Sequence, residues 1–228
     1  LVGSEMCIRD SEYRVIFSRS DENGNLLNIN EQLTMRGSES DWIAHPDESV
    51  DLCVLPIGPA LNGFIRAGKH LLTIPLSLEL LPTDKQIQDM GCMDEVTMVG
   101  YPNGIWDEAN NLPIVRRGIT ATPYRYDYQG QKEFLVDMAC YPGSSGSPVF
   151  LYNEGTYLEN DAVVMGKRLY LLGILRAVPI RTLLGDITVS TIAHVSVQDM
   201  LNLGIVIKSE RLRDFDPIVR ERLSVSGN

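Results

Sequence analysis

The chain has 228 residues, 44% of them hydrophobic and 22% charged, and a formal net charge of −10. That length supports one large domain or two small ones with a self-sufficient core. Such an acidic chain lacks the basic footprint that nucleic-acid binding needs, and its apolar runs are too short and too often broken by charge to be membrane spans.

The first eleven residues, "LVGSEMCIRDS", have no initiator Met and no apolar stretch long enough for a signal peptide. They resemble a translated sequencing-adapter tail. The expectation is that residues 1–11 are not native and that the natural chain is cut before Glu12.

Short strand-like runs then alternate with Gly, Pro, Asn and Asp clusters. Glu12–Arg19 alternates polar and apolar residues, and "SDENGN" after it reads as an Asn-Gly turn. Asn25–Met35 is one further strand or two. Val50–Ile57 is almost continuously apolar, and His70–Leu80 carries a Pro that restricts it to an edge. Leu81–Asp94 is polar and turn-like, so residues 83–93 read as a linker after a unit spanning 12–82. Six more strands follow in a unit spanning 94–204: Glu95–Pro102, Ile114–Pro123, Glu133–Ala139, Ser147–Tyr152, Arg168–Ala177 and Ile187–Val195. Ser196–Gly204 has helical spacing, with Ser196 as N-cap and Gly204 as terminator. The tail, 205–228, is charge-rich and reads as partly helical or disordered. The pattern predicts an all-β sandwich or barrel.

The four cysteines, Cys7, Cys53, Cys92 and Cys140, form no CxxC pair and fit a reduced, structural role. His45, His70 and His194 are too far apart in sequence for metal-ligand spacing, and no cofactor is implied.

"PGSSGSPVF" sets Ser145 between Gly143 and Gly146. On its own, a Gly/Ser turn fits a structural loop as well as a nucleophile. The α/β-hydrolase elbow is excluded, because Ser147 stands where that motif has its last Gly and a strand, not a helix, follows.

The same nine residues resemble the serine motif of chymotrypsin-fold serine peptidases, in the form common among bacterial trypsin-like members. "VDLCVL" resembles the family's aspartate motif, with Cys53 where Ala is usual. "VGYPNGIWD", "VRRGITA", "LLGILRA" and "SVQDML" resemble other stretches of the family, so that the likeness spans Glu12 to Gly204. It implies two six-stranded antiparallel β-barrels, the N-terminal one incomplete here, and a short C-terminal helix. It further implies hydrolysis of peptide or protein substrates through a Ser-His-Asp triad and an acyl-enzyme. Ser145 is then the nucleophile, and Asp51 the orienting carboxylate. The N–H groups of Gly143 and Ser145 form the oxyanion hole, and Ala139, Cys140, Gly173, Leu175 and Arg176 frame the substrate pocket. Arg176 on the wall strand fits either a preference for an acidic side chain or a plain exposed strand residue, so no preferred residue is assigned.

Spacing agrees in part. Asp51 and Ser145 are 94 residues apart, against about 93 in the chymotrypsin-type triad. The histidine should precede Asp51 by about 45 residues, which falls in the foreign-looking tail, where there is none. His45 reads as a loop residue near the aspartate strand, and neither His70 nor His194 has the context of a general base. The expectation is therefore an inactive fragment of a serine endopeptidase whose histidine lay before Glu12. The alternative is a protease-like peptide-binding module that lacks the histidine natively.

Overall fold

The computed structural model describes residues 12–36, 41–141, 143–159, 162–177, 180–181 and 199–225. The predicted strand Ile187–Val195, His194 and residues 1–11 lie outside them. Among the described residues no helix is long and apolar enough to cross a membrane.

The N-terminal part begins with a hairpin of β1 (Glu12–Ser20) and β2 (Leu26–Arg36). The predicted Asn-Gly turn closes it. Asp21 accepts hydrogen bonds from the backbone N–H groups of Asn23 and Asn25 and from the Asn25 amide, at 2.8–2.9 Å, and Gly24 takes a φ of +82°. The Asn25 side chain holds the Asp21 carboxyl below its ordinary range. β3 (Ile43–Ala44) and β4 (Cys53–Val54) form a separate two-residue ladder. Helix α1 (Gly58–Arg66), which no sequence pattern announced, leads to β5 (His70–Leu71), and β5 pairs with the end of β1. The strands expected over Val50–Ile57 and His70–Leu80 therefore shrink to two residues each. Gly58 and Pro59 start α1, and the run after Leu71 is irregular through Pro75 up to a 3-10 turn at Leu78–Leu80.

The expected linker contains a helix, α2 (Asp84–Asp89). Thr83 and Gln86 form a reciprocal capping box at its N-terminus, a signal present in the sequence but not used. Met90 then enters the core.

The C-terminal part is a closed antiparallel barrel. Its strands are β6 (Glu95–Gly100), β7 (Ile114–Thr120), β8 (Glu133–Asp137), β9 (Pro148–Glu159), β10 (Ala162–Ala177) and, after the two-residue ladder of β11 (Ile180–Arg181) with β12 (Asp199–Met200), β13 (Leu203–Lys208). Around the barrel the order is β10-β13-β8-β7-β6-β9. Inward residues alternate as the pleat requires, and Val96, Met98, Phe134, Val136, Val149 and Leu151 are fully buried. The Tyr124 hydroxyl donates to the Leu172 carbonyl at 3.0 Å, and its ring meets Phe134 edge-on.

The expected helix over Ser196–Gly204 is not formed in its described part: Asp199–Met200 and Leu203–Lys208 are strands. The apolar run Leu203–Ile207 pairs with β8, and Gly204 fits there because a Cβ would lie 2.7 Å from the Cys140 sulfur. The last helix is α3 (Phe215–Val225), after a 3-10 turn at Ser209–Asp214. It docks with Ile43 and Leu52 of the β3–β4 region and with Ile174 and Ile207 of the barrel in one buried cluster. A single closed barrel is thus present among the described residues, and the N-terminal part is an open three-stranded sheet with the small β3–β4 ladder beside it.

β9 and β10 continue past the barrel as a two-stranded ribbon in which Leu158 faces Val163 and Thr156 faces Met165. Sequence reading saw only its two roots. The ribbon's apolar residues are exposed, Met165 at 84%.

β10 approaches β13 closely at Gly173, where an added Cβ would lie 2.1 Å from the Ile207 carbonyl oxygen. Gly173→Ala is therefore expected to cost about 3 kcal/mol, the upper end of overpacking penalties, read as a lowered urea midpoint without loss of cooperativity.

Candidate functional site

The site is the turn between β8 and β9. Two glycines in the left-handed region, Gly143 at φ +80° and Gly146 at φ +84°, bend it. Ser144 points inward and is fully buried. Its N–H donates to the Tyr141 carbonyl at 3.0 Å, and its Oγ accepts from the Tyr141 N–H at 3.4 Å. The turn is pinned to β10 by Gly146 N–H to Leu175 O at 2.7 Å and Leu175 N–H to Ser147 O at 2.9 Å. With its neighbours held inward, Ser145 is left exposed, and its Oγ donates to the Arg176 carbonyl at 2.9 Å. Neither the Gly143 nor the Ser145 N–H donates to an acceptor among the described residues.

Other elements pack close behind the turn. A Cβ on Gly143 would stand 3.2 Å from the Asn103 nitrogen, so the segment after β6 touches the turn directly. A Cβ on Gly100 would collide with the buried Ser147 hydroxyl at 2.0 Å. From β7, Arg116 donates through Nη1 to the Ala139 carbonyl at 2.6 Å, and its Nε and Nη2 are buried without a partner among the described residues. Burial holds this guanidinium below its ordinary pKa. Arg116 was not singled out in the sequence, although "VRRGITA" was.

The sequence-predicted residues divide into groups. Ser145, Gly143 and the neighbouring backbone come together in one exposed turn. Asp51 is exposed at the entry to β4. Its neighbour Leu52 shares a buried cluster with Ile174, two residues before Arg176, so the aspartate segment is packed on the strand that holds the serine turn. Of the expected pocket frame, only Ala139 and Arg176 are accessible. Cys140 and Leu175 are turned into the barrel core, at 0% and 1% exposure, and Gly173 lies in the tight β10–β13 approach. These three cannot contact a bound side chain. Arg176 is not a free cation either, because its Nε lies 3.0 Å from Glu133.

His45 is buried and engaged elsewhere. Its Nδ1 lies 3.1 Å from the Asp47 nitrogen and 3.2 Å from the Asp47 carbonyl oxygen, and its Nε2 lies 3.2 Å from the Asp214 carboxylate and 3.3 Å from the Arg211 carbonyl oxygen. The ring also meets Phe215 edge-on at 5.2 Å. It ties the β3–β4 region to the C-terminal turn and helix, in keeping with the loop role expected for it. His70 is exposed opposite Ser20. Neither donates to or accepts from Ser145, so the serine proton is held by a backbone carbonyl and not by a base.

No protein-family model, curated protein or solved structure matches the chain. The site therefore rests on its own geometry.

Burial pushes the Cys140 thiol up from 9.0 to about 11, and burial likewise pushes the Tyr124 phenol up from 10.0 to about 12. Both acids hold their protons more tightly in the folded state, so unfolding releases protons above the unfolded pKa. Stability from these groups is full below pH 9 and is lost as pH rises through the folded values. The urea midpoint is expected to fall between pH 9 and about 11, and Cys140→Ala should flatten that part of the profile. An unchanged slope in the variant would remove Cys140 from the account.

Proposed function

We propose that the chain is the greater part of a serine endopeptidase of the chymotrypsin type, with Ser145 as its nucleophile. The observation that carries this reading is the turn itself: an exposed hydroxyl between two left-handed glycines, beside two backbone N–H groups with no other acceptor among the described residues. The resemblance of "PGSSGSPVF" and "VDLCVL", in that order and at triad spacing, supports it. In this reading the barrel formed by β6 to β10 and β13 is the second of two, and the N-terminal sheet belongs to the first.

The chemistry follows from the parts. Ser145 Oγ attacks the carbonyl carbon of the scissile bond while an imidazole takes its proton. The carbonyl oxygen becomes an oxyanion and accepts hydrogen bonds from the N–H groups of Gly143 and Ser145. The imidazolium returns the proton to the leaving amine, and an acyl-enzyme remains. Water, activated by the same imidazole, releases the acid product and regenerates the serine. Asp51 orients the imidazole and stabilises its cationic form. His45 is committed to Asp214 and the Asp47 loop, so in this reading the imidazole is another one, and the His-Asp-Ser order of the resembled family puts it upstream of Asp51.

A second reading takes the same turn as a peptide-binding surface without catalysis. It is favoured by one observation, the Ser145 hydroxyl bonded to the Arg176 carbonyl with neither His45 nor His70 bonded to it. The two readings part on the natural sequence upstream of Glu12 and on covalent labelling of the protein that carries it. A fluorophosphonate probe is expected to label that protein at Ser145. Ser145→Ala should abolish labelling, and Asp51→Asn should slow peptide hydrolysis by about 10⁴. His45→Gln should lower stability and leave labelling in place. Labelling that persists in Ser145→Ala would sink the assignment, and none in the wild type would favour the binding module.

A further inference from the structure

A second concave site lies apart from the serine turn and shares no lining residue with it. It is bounded by the start of α2, the loop after β7 that carries Tyr124 to Asp127, and the 3-10 turn after β13. It encloses about 740 Å³, within the roughly 300–1,000 Å³ of ligand pockets. Leu81, Pro82 and Ile87 give it an apolar side, and Tyr124 and Tyr126 add aromatic surface.

The charges around the cleft are sorted by the fold. Lys208, only 5% exposed in its side chain, donates to Asp127 at 2.6 Å, with its ammonium 5.4 Å from the centre of the Tyr124 ring. Lys132 bridges Asp127 at 3.4 Å and Glu210 at 3.2 Å. These contacts neutralise one another and fix the wall. Two cations are left over. Arg125 lies over the Tyr126 ring at 5.3 Å and makes only a long 3.9 Å contact to the Cys92 sulfur, and Arg213 is exposed with no acceptor among the described residues. The one carboxylate on the opposite rim, Asp84, sits in the first turn of α2, where it complements the helix end. In a chain of net charge −10, the lining of this cleft carries four cations against three carboxylates, and the two guanidinium groups outside its ion pairs lie beside an apolar side, which favours a negatively charged partner.

We propose that this cleft binds an acidic peptide segment, with its carboxylates on Arg125 and Arg213 and its apolar residues on Leu81, Pro82 and Ile87. Guanidinium groups suit carboxylates because their planar N–H forks match two oxygens at once. The apolar side and the volume exceed what a bare inorganic anion would occupy. The proposal does not depend on the role of Ser145, and the test uses the Ser145→Ala chain so that no cleavage enters.

The test is fluorescence anisotropy with a fluorescein-labelled peptide of leucine and glutamate, beside the same peptide with glutamine for glutamate. The glutamate peptide is expected to bind, and the glutamine peptide to bind at least about tenfold more weakly. Arg125→Gln and Arg213→Gln, both at exposed positions, should each weaken binding by about tenfold, with circular dichroism unchanged. Ile87→Ser should weaken it as well. Equal binding of the two peptides, full affinity in the double arginine variant, or no anisotropy change up to about 1 mM peptide would overturn the proposal. Complete displacement by equimolar inorganic phosphate would also overturn it, because the cleft would then be reading a point anion.

Discussion

The molecule is organised by strand β10, which is paired on both sides. Its outer half zips to β9, and its inner half meets β9 on one edge and β13 on the other. Successive residues of that inner half are assigned to different tasks. The Leu172 carbonyl receives the Tyr124 hydroxyl, and Gly173 permits a close approach to β13. Ile174 joins the cluster beneath the N-terminal part, Leu175 pins the serine turn through both of its backbone groups, and the Arg176 carbonyl receives Ser145. A shift of one residue in this register would take Leu172 and Leu175 out of the barrel core and Ile174 out of the second cluster, and would detach the turn at the same time. The position of the candidate nucleophile is therefore a property of barrel closure.

Much of the barrel was legible because its strands alternate with a clear period and are bounded by Gly and Pro. The Ser145 turn was legible as a turn because glycines flank the serine, and as a candidate site only through the resemblance of its flanks and the spacing to Asp51. What escaped the sequence did so for physical reasons. "SVQDMLNLGIVI" carries both a helix pattern and an apolar run, and pairing with β8 decided in favour of the strand. Val50–Ile57 and His70–Leu80 looked like strands because they are apolar, but tertiary contacts supply a strand partner for only two residues in each. Helix α1 is short and has no buried residue, and its apolar stripe of Ala60, Leu61, Phe64 and Ile65 follows directly on the apolar run Val50–Ile57, which masks it. Arg116 gave no signal beside Arg117 on an ordinary strand, and its importance lies in reaching the Ala139 carbonyl behind the turn.

His45 shows how proximity in sequence misleads about chemistry. It stands six residues before Asp51, yet its ring is fixed by the Asp47 N–H on one side and the Asp214 carboxylate on the other. A group with both nitrogens engaged and an aromatic ring against its face is well placed to join two segments, and badly placed to receive a proton from a third. The same packing brings Leu52, and with it the Asp51 segment, onto the cluster that contains Ile174. The residue that looked most like a displaced base thus works at one remove, holding the aspartate segment against the strand that carries the serine turn.

The β9–β10 ribbon has a consequence of another kind. Beyond the barrel each of its strands is paired only with the other among the described residues, and the face that carries Leu158, Val163 and Met165 is open to water. Both outer edges therefore present rows of unmatched main-chain donors and acceptors beside apolar side chains, a template for any extended segment that meets them. The Glu154–Lys167 pair is a charged interruption on that face. An open edge of this kind makes pairing with a further strand a matter of protein concentration.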